Sequence, residues 1–232
     1  MNTKFYFIAS LFLAVIFMSS CTQQVYHSPT YQDKAETHNK IAVLPYELVY
    51  DGRIPEKITD EELYKLIDNE SLMFQASLYN QILHKARRPK RQLQIEIQHF
   101  NDTNARLKKA GISIKDSWTI PSAELAEILN VDAVIKSKVH KRLFLTNTES
   151  AAVSVGASIL GSLAGANPVS DRARDLNKTS DIYVSCSIVD AQEEVIIWSY
   201  GQDISTNYRT QPEEAVNQIN SVISKRFPYR KA

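Results

Sequence analysis

The spacing of apolar positions changes several times along the chain, and each change marks an element. From Lys40, "KIAVLPYEL" is an apolar run rich in branched residues that ends near Pro45, which predicts a buried first strand. Leu63, Leu66, Ile67, Phe74, Leu78 and Ile82 then keep helical spacing and predict a long amphipathic helix to about Lys85. Thr59, with Glu62 three residues on, forms a capping box at its start, and Pro89 ends it. In "QLQIEIQ" (92–98), Leu93, Ile95 and Ile97 alternate with polar residues as in a half-buried strand. Two short helices follow. The first, "DTNARLKKAG", is stopped by Gly111. The second, "IPSAELAEILNV", has Ser122 as a candidate cap and Leu125, Ile128 and Leu129 facing inward. "VDAVIKSKVHKRLFLT" (131–146) reads as a long strand. Residues 180–205 read as a hairpin that turns near Ala191 and Gln192, with Ile196 and Trp198 on one face. Pro212 opens a last helix in which Ala215, Ile219, Val222 and Ile223 are apolar. The order β-α-β-α-α-β-β-β-α predicts one α/β (α+β) domain over 40–232, a mixed sheet with helices packed on it.

The amino-terminal pattern is of a different kind. Lys4 supplies a positive charge, Phe5 to Met18 is an apolar run, and two serines lead to Cys21. This is the layout of a secretory signal peptide over residues 1–20, and the run is short for a membrane-spanning helix. "MSSC" resembles the lipobox of bacterial lipoproteins, in which the cysteine becomes the first mature residue and carries acyl chains. One acyl chain anchors only marginally, so several are needed for a stable attachment. Thr22, where an aspartate would imply retention in the inner membrane, implies by the same resemblance the outer membrane, facing the periplasm. Residues 21–39 are polar and without periodicity, and are expected to be a lipidated flexible tether.

Composition narrows the function further. Without residues 1–20 the chain carries 26 basic and 26 acidic side chains, a balance that gives no reason to expect nucleic acid as a partner. Cys186 is then the one cysteine besides the anchor, so an internal disulfide is excluded. It lies in phase with Ile182, Val184 and Ile188 and reads as a small core residue.

"KIAVLPY", "ELAEILNVDAVIKSKV" and "VSCSIVDAQEEVIIWS" occur in that order, and together they resemble the envelope-lipoprotein superfamily that includes the curli-secretion (CsgG-like) lipoproteins. The amino-terminal domain of TolB and the lipoprotein activators of penicillin-binding proteins are similar in fold. The likeness covers roughly 40–205. It departs at the second hairpin turn, where such proteins usually carry a glycine and this chain has Gln192, Glu193 and Glu194. The resemblance implies a TolB-like mixed sheet and a non-enzymatic role: members assemble, gate or activate envelope machinery, and some form rings.

An insertion at about 148–178 interrupts this pattern. No charged residue occurs from Ser150 to Ser170. On a helix, Val153, Val155, Gly156, Ile159, Leu160 and Leu163 share a face, and Gly161 and Gly165 stand four apart, which permits close helix approach. On a strand, Val153, Val155 and Ile159 alternate with small residues over the minimum length for crossing a membrane, although "ANPVSDRARDLNK" supplies no partner strand. A loop over one edge of the domain is the third reading. The leading expectation is a small-residue helix that packs on this domain or on a partner subunit, through Val153, Val155, Gly156, Ile159, Leu160, Gly161, Leu163 and Gly165.

No catalytic or metal-binding pattern accompanies these elements. His27, His38, His84, His99 and His140 are scattered, without a second ligand at metal spacing, and no phosphate loop or nucleophile motif is present. Asp132 and Asp190 fall at strand ends, where turn roles are expected. The basic run "HKARRPKRQ" (84–92) has the charge to contact anionic lipid headgroups or cell-wall polymer, but the favoured reading is a helix carboxyl end, whose dipole favours cations, followed by a solvated loop. The expectation is therefore a lipid-anchored, periplasm-facing outer-membrane protein without cofactor, catalytic residue or metal. Its partners are other envelope proteins or further copies of itself. The alternative is a CsgG-like secretion-channel subunit that forms an oligomeric ring.

Overall fold

In the computed structural model the described residues are 24–51, 59–143, 180–206 and 212–230. Cys21 and the insertion residues Val153, Val155, Gly156, Ile159, Leu160, Gly161, Leu163 and Gly165 lie outside them.

Chain order gives β1 (Gln24–His27), α1 (Tyr31–Thr37), β2 (Lys40–Val43), β3 (Glu47–Asp51) and α2 (Asp60–Ala86). A 3-10 turn at Pro89–Arg91 leads to β4 (Glu96–Gln98), α3 (Phe100–Lys109), α4 (Asp116–Thr119) and α5 (Ser122–Leu129). Then come β5 (Ala133–Leu143), β6 (Ser180–Asp190), β7 (Ile196–Thr206) and α6 (Pro212–Arg226). The strands form one seven-stranded mixed sheet in the order β1-β7-β6-β5-β2-β4, with β3 also paired to β5. β2, β3 and β4 join it by parallel pairings, whereas β5, β6, β7 and β1 run antiparallel to their neighbours in succession.

The first strand is two strands. Pro45 has no N–H to give to a ladder, and the register against β5 changes from Val43↔Ile135 to Glu47↔Lys138 across it. Three residues therefore oppose two, a bulge at the break. Helix α2 repairs it: Gln75 Nε2 donates to the Val43 carbonyl at 2.8 Å and Ser71 Oγ to the Tyr46 carbonyl at 2.6 Å. The expected capping box is present, with the Thr59 side chain accepting from the Glu62 N–H and the Glu62 side chain from the Thr59 N–H. Phe74, Leu78 and Ile82 of α2 are buried with Ile219, Ile223 and Phe227 of the carboxyl-terminal segment against one sheet face. Each such side chain contributes about 1.5–3 kcal/mol by leaving water. A smaller cluster fills the other face only where α3 and α5 cross it, around Leu44, Leu107, Leu125, Leu129 and Val134.

The structure corrects several expectations. Residues 24–39 are not a flexible tether: β1 pairs with β7 from Gln24↔Gly201 to His27↔Trp198, and Tyr31 and Ala35 of α1 pack on the main core. Two helical turns and four edge residues are too short to show a period. The strand expected over 92–98 is ladder only at β4, because Leu93 bridges to Arg230 and Gln94 N donates to the Tyr229 carbonyl instead. Ile196 and Trp198 do not share a face. The register slips between Ile188↔Trp198 and Val189↔Ile196, so Ile197 is the extra residue of a bulge. Ile197 and Trp198 are fully buried, while Ile196 is 46% exposed. Cys186 is buried as expected, and burial pushes its thiol up to about 12.

Candidate functional site

A polar cluster lies where the amino-terminal segment, the β6–β7 turn and the carboxyl terminus meet. His38 Nε2 is 2.9 Å from Asp190 Oδ1, and His38 Nδ1 is 2.5 Å from the Tyr229 hydroxyl. With Asp190 ionised, His38 Nε2–H donates to it, and the tautomer that does so leaves Nδ1 to accept from the Tyr229 O–H. Burial opposes ionisation of Asp190. The His38 hydrogen bond, the Glu193 backbone N–H and the Lys34 charge outweigh it and hold the carboxyl below its ordinary value. Burial raises the Tyr229 hydroxyl well above its ordinary value. All three side chains are at most 5% exposed. The constellation has the residue types of a general-base relay, but a relay must reach a substrate proton, and this one is sealed in the core. It acts as a tie between segments. Sequence reading missed it because His38 and Tyr229 lie 191 positions apart.

Asp132 and Asp190 have the turn roles expected of them. Asp132 Oδ2 accepts the N–H groups of Asn39 at 2.7 Å and Lys40 at 2.9 Å, and Asp190 Oδ2 accepts that of Glu193 at 2.8 Å. Ser122 is not the cap of α5. The cap position falls on Pro121, which offers no side-chain bond, and Glu194 Oε1 accepts the Ala123 N–H instead.

The second feature is the sheet face that the helices leave open. Side chains alternate across a strand, and the helix-covered face takes Val139, Val184, Cys186 and Tyr200. The other face carries Lys136, Lys138 and His140 on β5, Tyr183, Ser185 and Ser187 on β6, Ser199, Gly201 and Asp203 on β7, and Tyr26 on β1, matched by the ladder register. Its polar groups are partly paired, Lys138 with Glu47 at 2.9 Å and His140 Nε2 with Asp51 Oδ2 at 2.6 Å. Burial lowers the Lys136 ammonium, against the pull of Glu194 and Glu47, and its Nζ donates to the Ile120 carbonyl at 2.8 Å. Tyr183 is 40% and Tyr26 50% exposed. A polar face with exposed tyrosines suits a contact surface better than a reaction centre, which needs a concave, water-excluding pocket.

A narrow cleft of about 20 Å³ between Tyr46, Phe74, Val139 and Ile219 has room for about one water. A polar groove lies at the β4 edge between Lys40, Glu96, His99, Asp102 and Arg106. Among the described residues no group of three or more His, Cys, Asp or Glu side chains could hold a metal ion, and no helix is long and apolar enough to cross a membrane. The basic run is the end of α2 with its following turn.

No protein-family model matches the sequence, and neither does any curated protein sequence. Solved structures do resemble the fold. The PelC dodecamer from Paraburkholderia phytofirmans aligns at 10% identity and a TM-score of 0.41, over 88% of this chain and 94% of that one. Lipoprotein GNA1162 from Neisseria meningitidis aligns at 11% identity and 0.47, over 81% and 96%. The LpoB carboxyl-terminal domain from Salmonella enterica aligns at 13% and 0.38, over 77% and 94%. At these values the likenesses transfer neither a partner nor an activity to this chain.

Proposed function

We propose that this protein is an outer-membrane lipoprotein, anchored through acylated Cys21 and facing the periplasm, with a non-enzymatic accessory role in envelope assembly or secretion. The observation that carries the reading is the cysteine set directly after "MSS" at the end of a charged-then-apolar leader. The architecture supports action by contact: the ionisable cluster at His38 is spent inside the fold, while the open sheet face offers Lys138, His140, Ser185 and Ser187 to a protein partner. The partners on this reading are the membrane, through the lipid, and other envelope proteins or further copies of the chain, with no nucleic acid. The test is palmitate labelling of wild type and Cys21→Ser in a bacterial host, with membrane fractionation. Label and outer-membrane sedimentation that disappear together in Cys21→Ser support the reading. A soluble, unlabelled wild-type protein sinks it.

A CsgG-like secretion-channel subunit is the second reading, favoured by the uncharged insertion of residues 150–168 placed between β5 and β6. It requires a ring. Light scattering of the detergent-extracted protein and conductance in planar bilayers test it, and a non-conducting monomer refutes it.

A further inference from the structure

Strand β1 is hydrogen-bonded to β7 from Gln24 onward, and Thr22 and Gln23 alone separate it from Cys21. Three residues of fully extended chain reach about 11 Å. An acylated Cys21 therefore cannot hold the domain on a long leash, because Gln24 must lie within that distance of the lipid attachment.

The place where the chain joins the sheet has the surface chemistry of an interfacial contact. β1 is the edge of the sheet, and among the described residues no strand pairs with its outer side. Tyr26 lies two residues beyond Gln24 on the open face. Tyr183 lies on the same face and leans toward β1: its hydroxyl end lies over Gly201, the residue paired with Gln24, so close that a Cβ on Gly201 would stand 3.0 Å from it. Val25, 37% exposed, presents apolar surface on the other side of the strand. From Cys21 to Gln32 no side chain is aspartate, glutamate, lysine or arginine, so bringing this stretch to the headgroup layer strips no formal charge of water. Tyrosine favours that layer, with its ring toward the acyl chains and its hydroxyl in water.

We propose that the β1 edge rests on the bilayer surface, with Tyr26 and Tyr183 at headgroup depth, so that the lipid anchor seats the domain in one orientation. The inference rests on acylation of Cys21. It turns the opposite edge of the sheet, β4, away from the membrane and toward the periplasm.

The test uses the full lipidated chain in liposomes of phosphatidylethanolamine and phosphatidylglycerol. Spin labels are placed at Val25→Cys on β1 and at Glu96→Cys on β4, and mass spectrometry counts the acyl chains. The ratio of collisions with oxygen to collisions with a water-soluble nickel chelate is expected to be several-fold higher at Val25 than at Glu96. Tyr26→Glu combined with Tyr183→Glu is expected to bring the Val25 ratio down to the Glu96 value with acylation unchanged. Equal ratios on an acylated wild-type chain overturn the docking and leave the anchor standing. A Val25 label shielded from both reagents in detergent as well as in liposomes shows a protein contact and also overturns it. A mass without acyl groups overturns the anchor and the docking together.

Discussion

Glu194, in the turn between β6 and β7, caps helix α5 by accepting the backbone N–H of Ala123 at 3.1 Å. It does so from a left-handed backbone, φ +54°, which costs a non-glycine residue about 1 kcal/mol. The cap is worth about 1 kcal/mol, with a further contribution from a carboxylate at a helix amino terminus. Two substitutions separate the terms. Glu194→Ala keeps the strain and loses the cap, and is expected to destabilise by about 1–2 kcal/mol in urea titration. Glu194→Gly loses the cap but relieves the strain, and is expected to fall within about 0.5 kcal/mol of wild type. Equal losses in both variants would remove the cap from the account.

Gln75 holds the broken first strand to the helix layer. Its Nε2 serves Val43 O and Asn104 Oδ1, while its Oε1 accepts from Asn104 Nδ2. Gln75→Ala leaves the buried Val43 carbonyl without this partner, at about 1–3 kcal/mol before relaxation, and frees the half-buried Asn104 amide. A drop in the urea midpoint is the expected readout. An unchanged midpoint would mean that the break at Pro45 needs no support.

Asp190 predicts an acid-dependent term. Its folded carboxyl titrates below the unfolded value of about 3.9. The stabilisation is therefore complete above the unfolded value and is lost as pH falls through the lower, folded one. Asp190→Asn is expected to be less stable than wild type near neutral pH, with the gap closing below about pH 4. A gap that stays constant from pH 7 to 3 would contradict the His38–Asp190 pairing.

The bulge in β7 makes neighbours unequal. Ile197→Ala opens a hole in the core and is expected to cost about 2–5 kcal/mol. Ile196→Ala, at a half-exposed site, is expected to stay within about 0.5 kcal/mol. A reversed ranking would place the bulge elsewhere.

Cys186 is buried and its thiol is pushed up to about 12, so thiolate is scarce at neutral pH. With Cys21 acylated, as proposed, the native chain is expected to react with maleimide only after denaturation. Rapid native labelling of a chain shown to be acylated would place Cys186 at the surface.

Much of the architecture was legible in the sequence because it depends on short-range periods. The helical spacing from Leu63 to Ile82, the Thr59–Glu62 box and the alternation around Cys186 each report a local geometry and the face it buries. The basic run after His84 likewise read correctly as a helix end. Where a residue's role depends on a distant partner, local pattern carried no signal. Ser122 has the chemistry of a cap, yet the cap comes from Glu194 across the fold. Ile196 and Trp198 keep strand spacing, yet a one-residue slip in register turns them to different sides. The stretch from Gln24 to His38 looks like a tether because its partners, β7, Tyr229 and Asp190, are far along the chain.

By itself the sequence determined the lipobox-like pattern ending at Cys21, the mixed α/β class and the inward residues of the long helix. Leader chemistry and apolar periodicity are properties of neighbouring residues. Only the tertiary structure decided that Gln24 joins the sheet three residues after that cysteine, that His38, Asp190 and Tyr229 share one buried site, and that Tyr26 and Tyr183 lie on the same open face. Those are distances between segments brought together by strand pairing, and strand pairing is set by the competition of all edges and faces for burial at once.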